Sequence, residues 1–157
     1  MGVKTQGTEL FFINNATTTD VDFVKMACPT GITGLGGAAD QIDTTCLENT
    51  TDRTFERGLG NPGQVSVPFI LKPSEASQQD LFDLKESGVL LSWLIGLSDG
   101  TAQPTVVADE FVPPAGRTSF GFSAYVSDVA IDIATNEVVR GTLTLQRSGA
   151  VTPTWKV

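Results

Sequence analysis

The side chains able to do chemistry in this chain are few: Cys28, Cys46, several carboxylate pairs and one glycine-rich run. Histidine is absent and tyrosine occurs once. Two thiols without an imidazole fall short of the four ligands of a structural zinc site. The carboxylate pairs are Asp20/Asp22, Asp40/Asp43, Asp109/Glu110 and Asp128/Asp132, and none has the spacing of a calcium loop. With no glycine-flanked serine elbow either, general bases and nucleophiles reduce to carboxylates and lysines, and solvated surface charge is the better reading of each pair. The run Gly34-Leu35-Gly36-Gly37-Ala38-Ala39 matches a relaxed dinucleotide fingerprint after the strand-like FVKMA. That fingerprint works only when a helix N-terminus follows to hold the pyrophosphate, whereas Gln41 to Thr45 is β-like and no βαβ alternation surrounds it. Glycines here read as a connector that lets backbone approach backbone. No enzyme and no cofactor is expected.

The elements that would position these residues are mostly strands. Residues 8–13 and 21–27 are β-branched and aromatic runs joined by a longer loop, so they form a hairpin. A strand-like QIDTT follows the glycines. From Cys46 to Gly63 the chain is polar and charged and closes on the turn Asn61-Pro62-Gly63, which makes it the longest loop. Val65, Val67, Phe69 and Leu71 then alternate with Gln64, Ser66, Pro68 and Ile70, and Pro68 marks an edge strand or a bulge. One helix is expected next, with Ser74 as N-cap, Glu75 in its first turn, Gly88 beyond its end, and Ser77, Leu81 and Leu84 on its buried face. Val89 to Leu97 reads as a strand buried on both faces. Thr105–Val112, Arg117–Val126 and Glu137–Arg147 complete a mainly β, antiparallel sandwich or half-barrel with one flanking α-helix.

At 157 residues the chain is expected to be a single domain, 1–157, that folds without staples. Residues 1–7 and 148–157 are expected as N- and C-terminal arms. The net charge of −8, from 10 basic and 18 acidic residues, disfavours gripping a polyanion, because phosphate affinity comes from Lys and Arg replacing counterions. The N-terminal MGVKTQGTELFF lacks the apolar core of a signal peptide, so a reducing compartment with free, buried thiols is expected, and the sequons at Asn15 and Asn49 carry no weight. Val89 to Leu97, the longest apolar run, is too short to span a membrane.

Three segments carry a resemblance over nearly the whole chain: GLGGAADQID followed by TTCLEN; the helix after VPFILKPSE; and FSAYVSDVAIDIATNEVVRGTLTLQRSGAV, with its tyrosine-bearing strand, acidic turn and long polar/apolar strand. Together they resemble the tail tube (major tail) protein of long-tailed, lambda-like siphophages. The resemblance implies a structural virion protein whose hexameric rings stack into a hollow tube, with strands of six subunits forming one inner barrel through which DNA is ejected without specific binding. It implies assembly in the bacterial host cytoplasm, with the tape measure, tail terminator and baseplate proteins as partners. The immunoglobulin-like C-terminal appendage of some members is expected to be missing. In that setting Asp52, Arg53, Glu56 and Arg57 of the 46–63 loop are inter-ring candidates, Asp40, Asp43, Asp128 and Asp132 are lumen candidates, and Trp155 is the subunit-contact residue of the tail. The alternative is a monomeric ligand- or carbohydrate-binding β-sandwich, which would need a row of solvent-facing aromatics.

Overall fold

The computed structural model describes residues 2–14 and 23–157. Asn15, the Asp20/Asp22 pair and the tip of the first expected hairpin lie outside the described residues. The main sheet has seven strands. Its path runs β2 (Phe23–Lys25), β1 (Glu9–Ile13), β6 (Leu91–Gly96), β9 (Ser119–Asp132), β10 (Arg140–Arg147) and β5 (Gln64–Ile70), all antiparallel, and β11 (Thr152–Thr154) joins β9 beside the end of β10. Two ribbons stand apart from it: β3 (Ala39–Asp43) with β4 (Phe55–Gly60), and β7 (Thr105–Val107) with β8 (Glu110–Val112).

The sheet is curled. Leu10 and Phe12 of β1 share one buried cluster with Val65, Val67 and Phe69 of β5, although these strands lie near opposite ends of the path. This is the half-barrel form of the expected architecture. The helix α1 (Ala76–Ser87) closes it, burying Ser77, Leu81 and Leu84 as its periodicity requires. Trp93 lies in the same core, its indole N–H donating to Ala124 O at 3.1 Å. On the opposite face of the sheet, Phe11 meets Phe23 edge-on at 5.3 Å, and Phe111 of β8 approaches Phe23.

Several boundaries differ from expectation, each for a local reason. The helix starts at Ala76 with Glu75, not Ser74, as N-cap, because Glu75 N–H donates to Lys72 O and makes Lys72–Glu75 a turn. Gln78, fully buried, ties that turn down: its amide accepts from Lys72 N–H at 2.7 Å and donates to the carbonyls of Ala27 and Ile70. Gly88 ends the helix at φ 63 as its sequence position implies. Thr105–Val112 is a hairpin rather than one strand, since Ala108 and Asp109 both adopt left-handed φ values of 51 and 61. The supposed acidic turn at 128–132 is strand: β9 continues through it beside β10, and a bulge at Ser127 shifts the inward phase from Val126 to Val129. The thiols are free but not buried; Cys46 is exposed and Cys28 is half-buried.

The two termini dock on the domain. Gly7 O accepts from Arg117, Lys4 O accepts from Ser98 Oγ, and residues 152–154 pair with β9. Beyond them Val157 N–H reaches Ala115 O, and Thr118 Oγ1 bonds Asp99 Oδ2 at 2.5 Å. Thr118 holds the Asp99 carboxyl below its ordinary value, chiefly through that hydroxyl.

Arg117 is the polar anchor of this end. It is 1% exposed, and its guanidinium donates to the carbonyls of Leu97, Ala102, Gly7 and Gly96 and to Glu9 Oε2 at 2.8 Å, over the ring of Phe11. Burial pushes the Glu9 carboxyl up, but hydrogen bonds and charge from Lys25 and Arg117 outweigh it and hold it below its ordinary value. Glu9 therefore contributes stability that is complete above the unfolded carboxylate pKa and is lost as pH falls through its folded pKa. Arg117→Met, which strands four carbonyls and leaves Glu9 with Lys25 alone, should cost about 3 kcal/mol in urea unfolding at neutral pH. It should also flatten the acid-side fall in stability; a loss below about 1 kcal/mol would contradict the anchor role.

Candidate functional site

The segment expected to be one long loop contains a strand. Phe55–Gly60 pairs with Ala39–Asp43 in the register Gln41↔Arg57, Ile42↔Glu56, Asp43↔Phe55, and the ladder extends to Thr44 N–H on Thr54 O at 3.0 Å. Thr45 Oγ1 accepts from Thr54 N–H, and Thr45 N–H donates to Asp43 Oδ1 at 2.9 Å. Hydrogen bonding from Thr45 to the Asp43 carboxylate, from its side chain first and its backbone N–H second, lowers the Asp43 pKa. The result is an arm whose paired part is about 20 Å long at about 3.3 Å per residue.

Every residue from Asp40 to Arg57 is exposed. Among the arm's apolar side chains, Ile42 is 52%, Phe55 50%, Leu59 86% and Leu47 105% exposed. A two-stranded ribbon is marginal in water by itself, and apolar side chains displayed along one mark a surface that a partner covers.

The glycine-rich connector roots this arm. At Gly34, φ is +91 and a Cβ would stand 2.0 Å from Gln64 O; at Gly37 it would stand 2.8 Å from Asn61 O and 3.1 Å from Arg147 Nη2. Thr33 exchanges backbone hydrogen bonds with Ser66 on the outer side of β5, and Asn61 N–H closes on Ala38 O. A strand follows the glycines, not a helix, so a pyrophosphate would find no helix N-terminus there.

A second open surface lies along β9. From Tyr125 to Asp132 this strand has β10 on one side, while β6 leaves its other side at Ala124. Ile131, Ile133 and Val138 are exposed around this hairpin. An unpaired edge of this length invites another strand.

These two surfaces sort the residues singled out from sequence. Asp40, Asp43, Glu56 and Arg57 share the paired part of the arm, and Asp52 and Arg53 sit at its tip. Asp128 and Asp132 lie on β9, apart from the arm; Asp128 pairs with Lys85 of the helix at 3.0 Å, and that bond lowers its pKa. Trp155 is 66% exposed and packs edge-on against Phe120 at 6.1 Å. Sequence reasoning missed Ile42, Phe55 and Leu59 as a displayed apolar set. Phe55 alternates with Glu56 on β4 while Ile42, opposite Glu56, lies on the other face, and Gly58, Gly60 and the charged neighbours masked β4 as loop.

A family model described as phage tail tube, TTP, lambda-like, matches residues 1–157. The chain belongs to the lambda-like phage tail tube family. It is 37% identical over 152 residues to "Structural protein 3" of Pseudomonas phage PAJU2, covering 94% of this chain and 90% of that protein. Its fold is similar to the SPP1 tail tube protein (TM-score 0.68, 12% identity, 99% of this chain and 81% of that one). It is also similar to the sheath/tube terminator of the extracellular contractile injection system PVC (0.71, 13%, 99% and 98%). A third similar fold is in the tail of an empty gene transfer agent particle, refined helically with C6 symmetry (0.62, 14%, 94% and 96%). This tail tube protein is thus a structural component of the virion tail, and the ligand-binding alternative is not favoured. Of the two tryptophans a carbohydrate platform would use, Trp93 is buried.

Because the arm's apolar residues lie outside the core, Ile42→Ser, Phe55→Ser and Leu59→Ser should each change monomer stability by less than about 0.5 kcal/mol in urea unfolding. A loss above about 2 kcal/mol would place the ribbon in the folding core instead.

Proposed function

We propose that this tail tube protein forms homohexameric rings that stack into the conduit for DNA ejection, with the arm as the contact between subunits. The observation that carries this reading is the arm itself, a paired ribbon that displays Ile42, Phe55 and Leu59 to solvent. The open edge of β9 supports the lateral joint, since a strand of the next subunit would satisfy its free N–H and C=O groups and continue the sheet around a ring. The C6 symmetry of the similar gene transfer agent tail supports six as the number.

On this reading Asp52, Arg53, Glu56 and Arg57 set register between copies, as charged rim pairs do. Asp40 and Asp43 join them in the contact, because they share the ribbon. Asp128 and Asp132 remain the lumen candidates. A wall rich in carboxylates lets the genome pass without specific binding, and −8 per subunit supports that role. Trp155 is assigned to a subunit contact beside Phe120. Assembly takes place in the bacterial host cytoplasm, with the tape measure, tail terminator and baseplate proteins completing the tail.

Electron microscopy of the concentrated chain should show rings or tubes. Removing residues 45–53 and closing the ribbon with a two-residue turn should keep the circular dichroism of the monomer and abolish the tubes. Normal tubes from the shortened arm would overturn the assignment.

A further inference from the structure

Among the described residues two arginines are buried, and only one of them has a carboxylate partner. Arg117 has Glu9 and four carbonyls. Arg147, at the end of β10, is 4% exposed; its Nη2 donates to Gly36 O, and its Nε is buried with no hydrogen-bond partner. The ion pairs among the described residues are Lys25–Glu9, Lys85–Asp128 and Arg117–Glu9, so no described carboxylate reaches Arg147. A guanidinium stays charged at any physiological pH, and burying it against a carbonyl without a counter-ion is costly.

Arg147 lies in the wall of an open pocket of about 640 Å³ at the root of the arm. Arg57 contributes a second guanidinium to the lining, no Asp or Glu does, and Leu35, Pro62 and Val151 make an apolar rim. In a chain of net charge −8 this is a local positive cavity.

We propose that this pocket receives the arm tip of a second copy of the chain, with Glu48 or Asp52 of that copy placing its carboxylate on Arg147. The proposal rests on the tube reading and names what the arm touches. Charge complementarity selects the occupant: the arm carries Asp40, Asp43, Glu48, Asp52 and Glu56 against Arg53 and Arg57. Asp43 is engaged by Thr45, and Asp40 and Glu56 lie along the ladder, which leaves Glu48 and Asp52 at the tip beside the fully exposed Leu47. Leu47 matches the apolar rim. The tip stands a ladder's length, about 20 Å, from its own root, so it fills a neighbour's pocket and not its own. Tip into root is a heterologous contact, and each copy gives one and accepts one, which is the geometry that builds rings and stacks.

The test uses the native Cys46 at the tip, with Ala150→Cys on the pocket wall and Cys28→Ser to remove the other thiol. Mild oxidation of the concentrated chain should give interprotomer disulfides, seen as a ladder on a non-reducing gel, and Arg147→Met in that background should reduce their yield at least ten-fold. In the otherwise native chain, Arg147→Met should leave the monomer melting temperature unchanged or raised, since it deletes an unneutralised charge. Assembly should slow by at least ten-fold, and Glu48→Gln with Asp52→Asn should slow it similarly. Tubes that form without the disulfide would overturn the docking and leave the tube reading intact; the disulfide ladder without tubes would support the docking and overturn the tube reading. Unchanged assembly in Arg147→Met, or a destabilised monomer whose folded fraction assembles normally, would overturn the proposal. So would a pocket that binds inorganic phosphate through Arg147 while both assembly and the disulfide ladder persist in Arg147→Met.

Discussion

A two-stranded ribbon has two faces and no layer of its own to bury either. This constraint explains more of the molecule than any other. The main sheet solves the same problem internally: it curls until residues of β1 and β5 meet across one core, and α1 closes the remaining side. The β3–β4 arm has no such solution, because its faces point to solvent from Asp40 to Arg57. Its ladder hydrogen bonds are made, so what it lacks is cover. In the proposed tube a neighbouring subunit would supply that cover without any change in the domain that carries the arm.

The root of the arm is held against the domain by close backbone packing. Glycines at 34 and 37 let the connector press against β5 and Arg147, closer than any side chain permits. The connector's hydrogen bonds with Ser66 and Pro68 also occupy the outer side of β5, the strand at one end of the sheet path. One edge is thereby blocked, while the edge of β9 beyond Ala124 is left open. An edge protected on one side and open on another restricts where further strands can add, which separates ordered assembly from aggregation. Arg117 and Arg147 show the same division in electrostatic form. The first is neutralised within the domain and holds the N-terminal segment at Gly7; the second, without a carboxylate partner among the described residues, lies at the root of the arm.

Much of this was legible in the residues. Val65, Val67 and Phe69 marked β5, Pro68 marked it as an outer strand, Leu81 and Leu84 gave the buried helix face, and Gly88 gave its end. The errors fall where pairing or backbone conformation overrides pattern. Phe55–Gly60 holds two glycines and two charges, so only its partner β3 makes it a strand. Ala108 and Asp109 turn a hairpin through left-handed conformations; Asp tolerates that region, but Ala108 gives no such signal. The bulge at Ser127 changes the inward spacing from two to three, which disguised Asp128–Asp132 as a turn. For the candidate site, Asp40 and Asp43 were set apart from Glu56 and Arg57, which one ladder brings together, because cross-strand register is invisible in one dimension. Arg147 continues the inward phase of Gly141, Leu143 and Leu145 along β10, but its charge argued for solvent, and the glycine segment that packs on it is distant in sequence.

Amide hydrogen exchange followed by mass spectrometry, on the monomer and on assembled material, tests the central claim most directly: the arm is a finished ribbon that is covered only by a second copy. Assembly should strongly slow exchange over residues 44–54, whose amides are largely unpaired in the monomer, and over 35–37 and 149–151 at the root, while the core strands β6 and β10 change little. Assembled material in which residues 44–54 exchange as fast as in the monomer would contradict it.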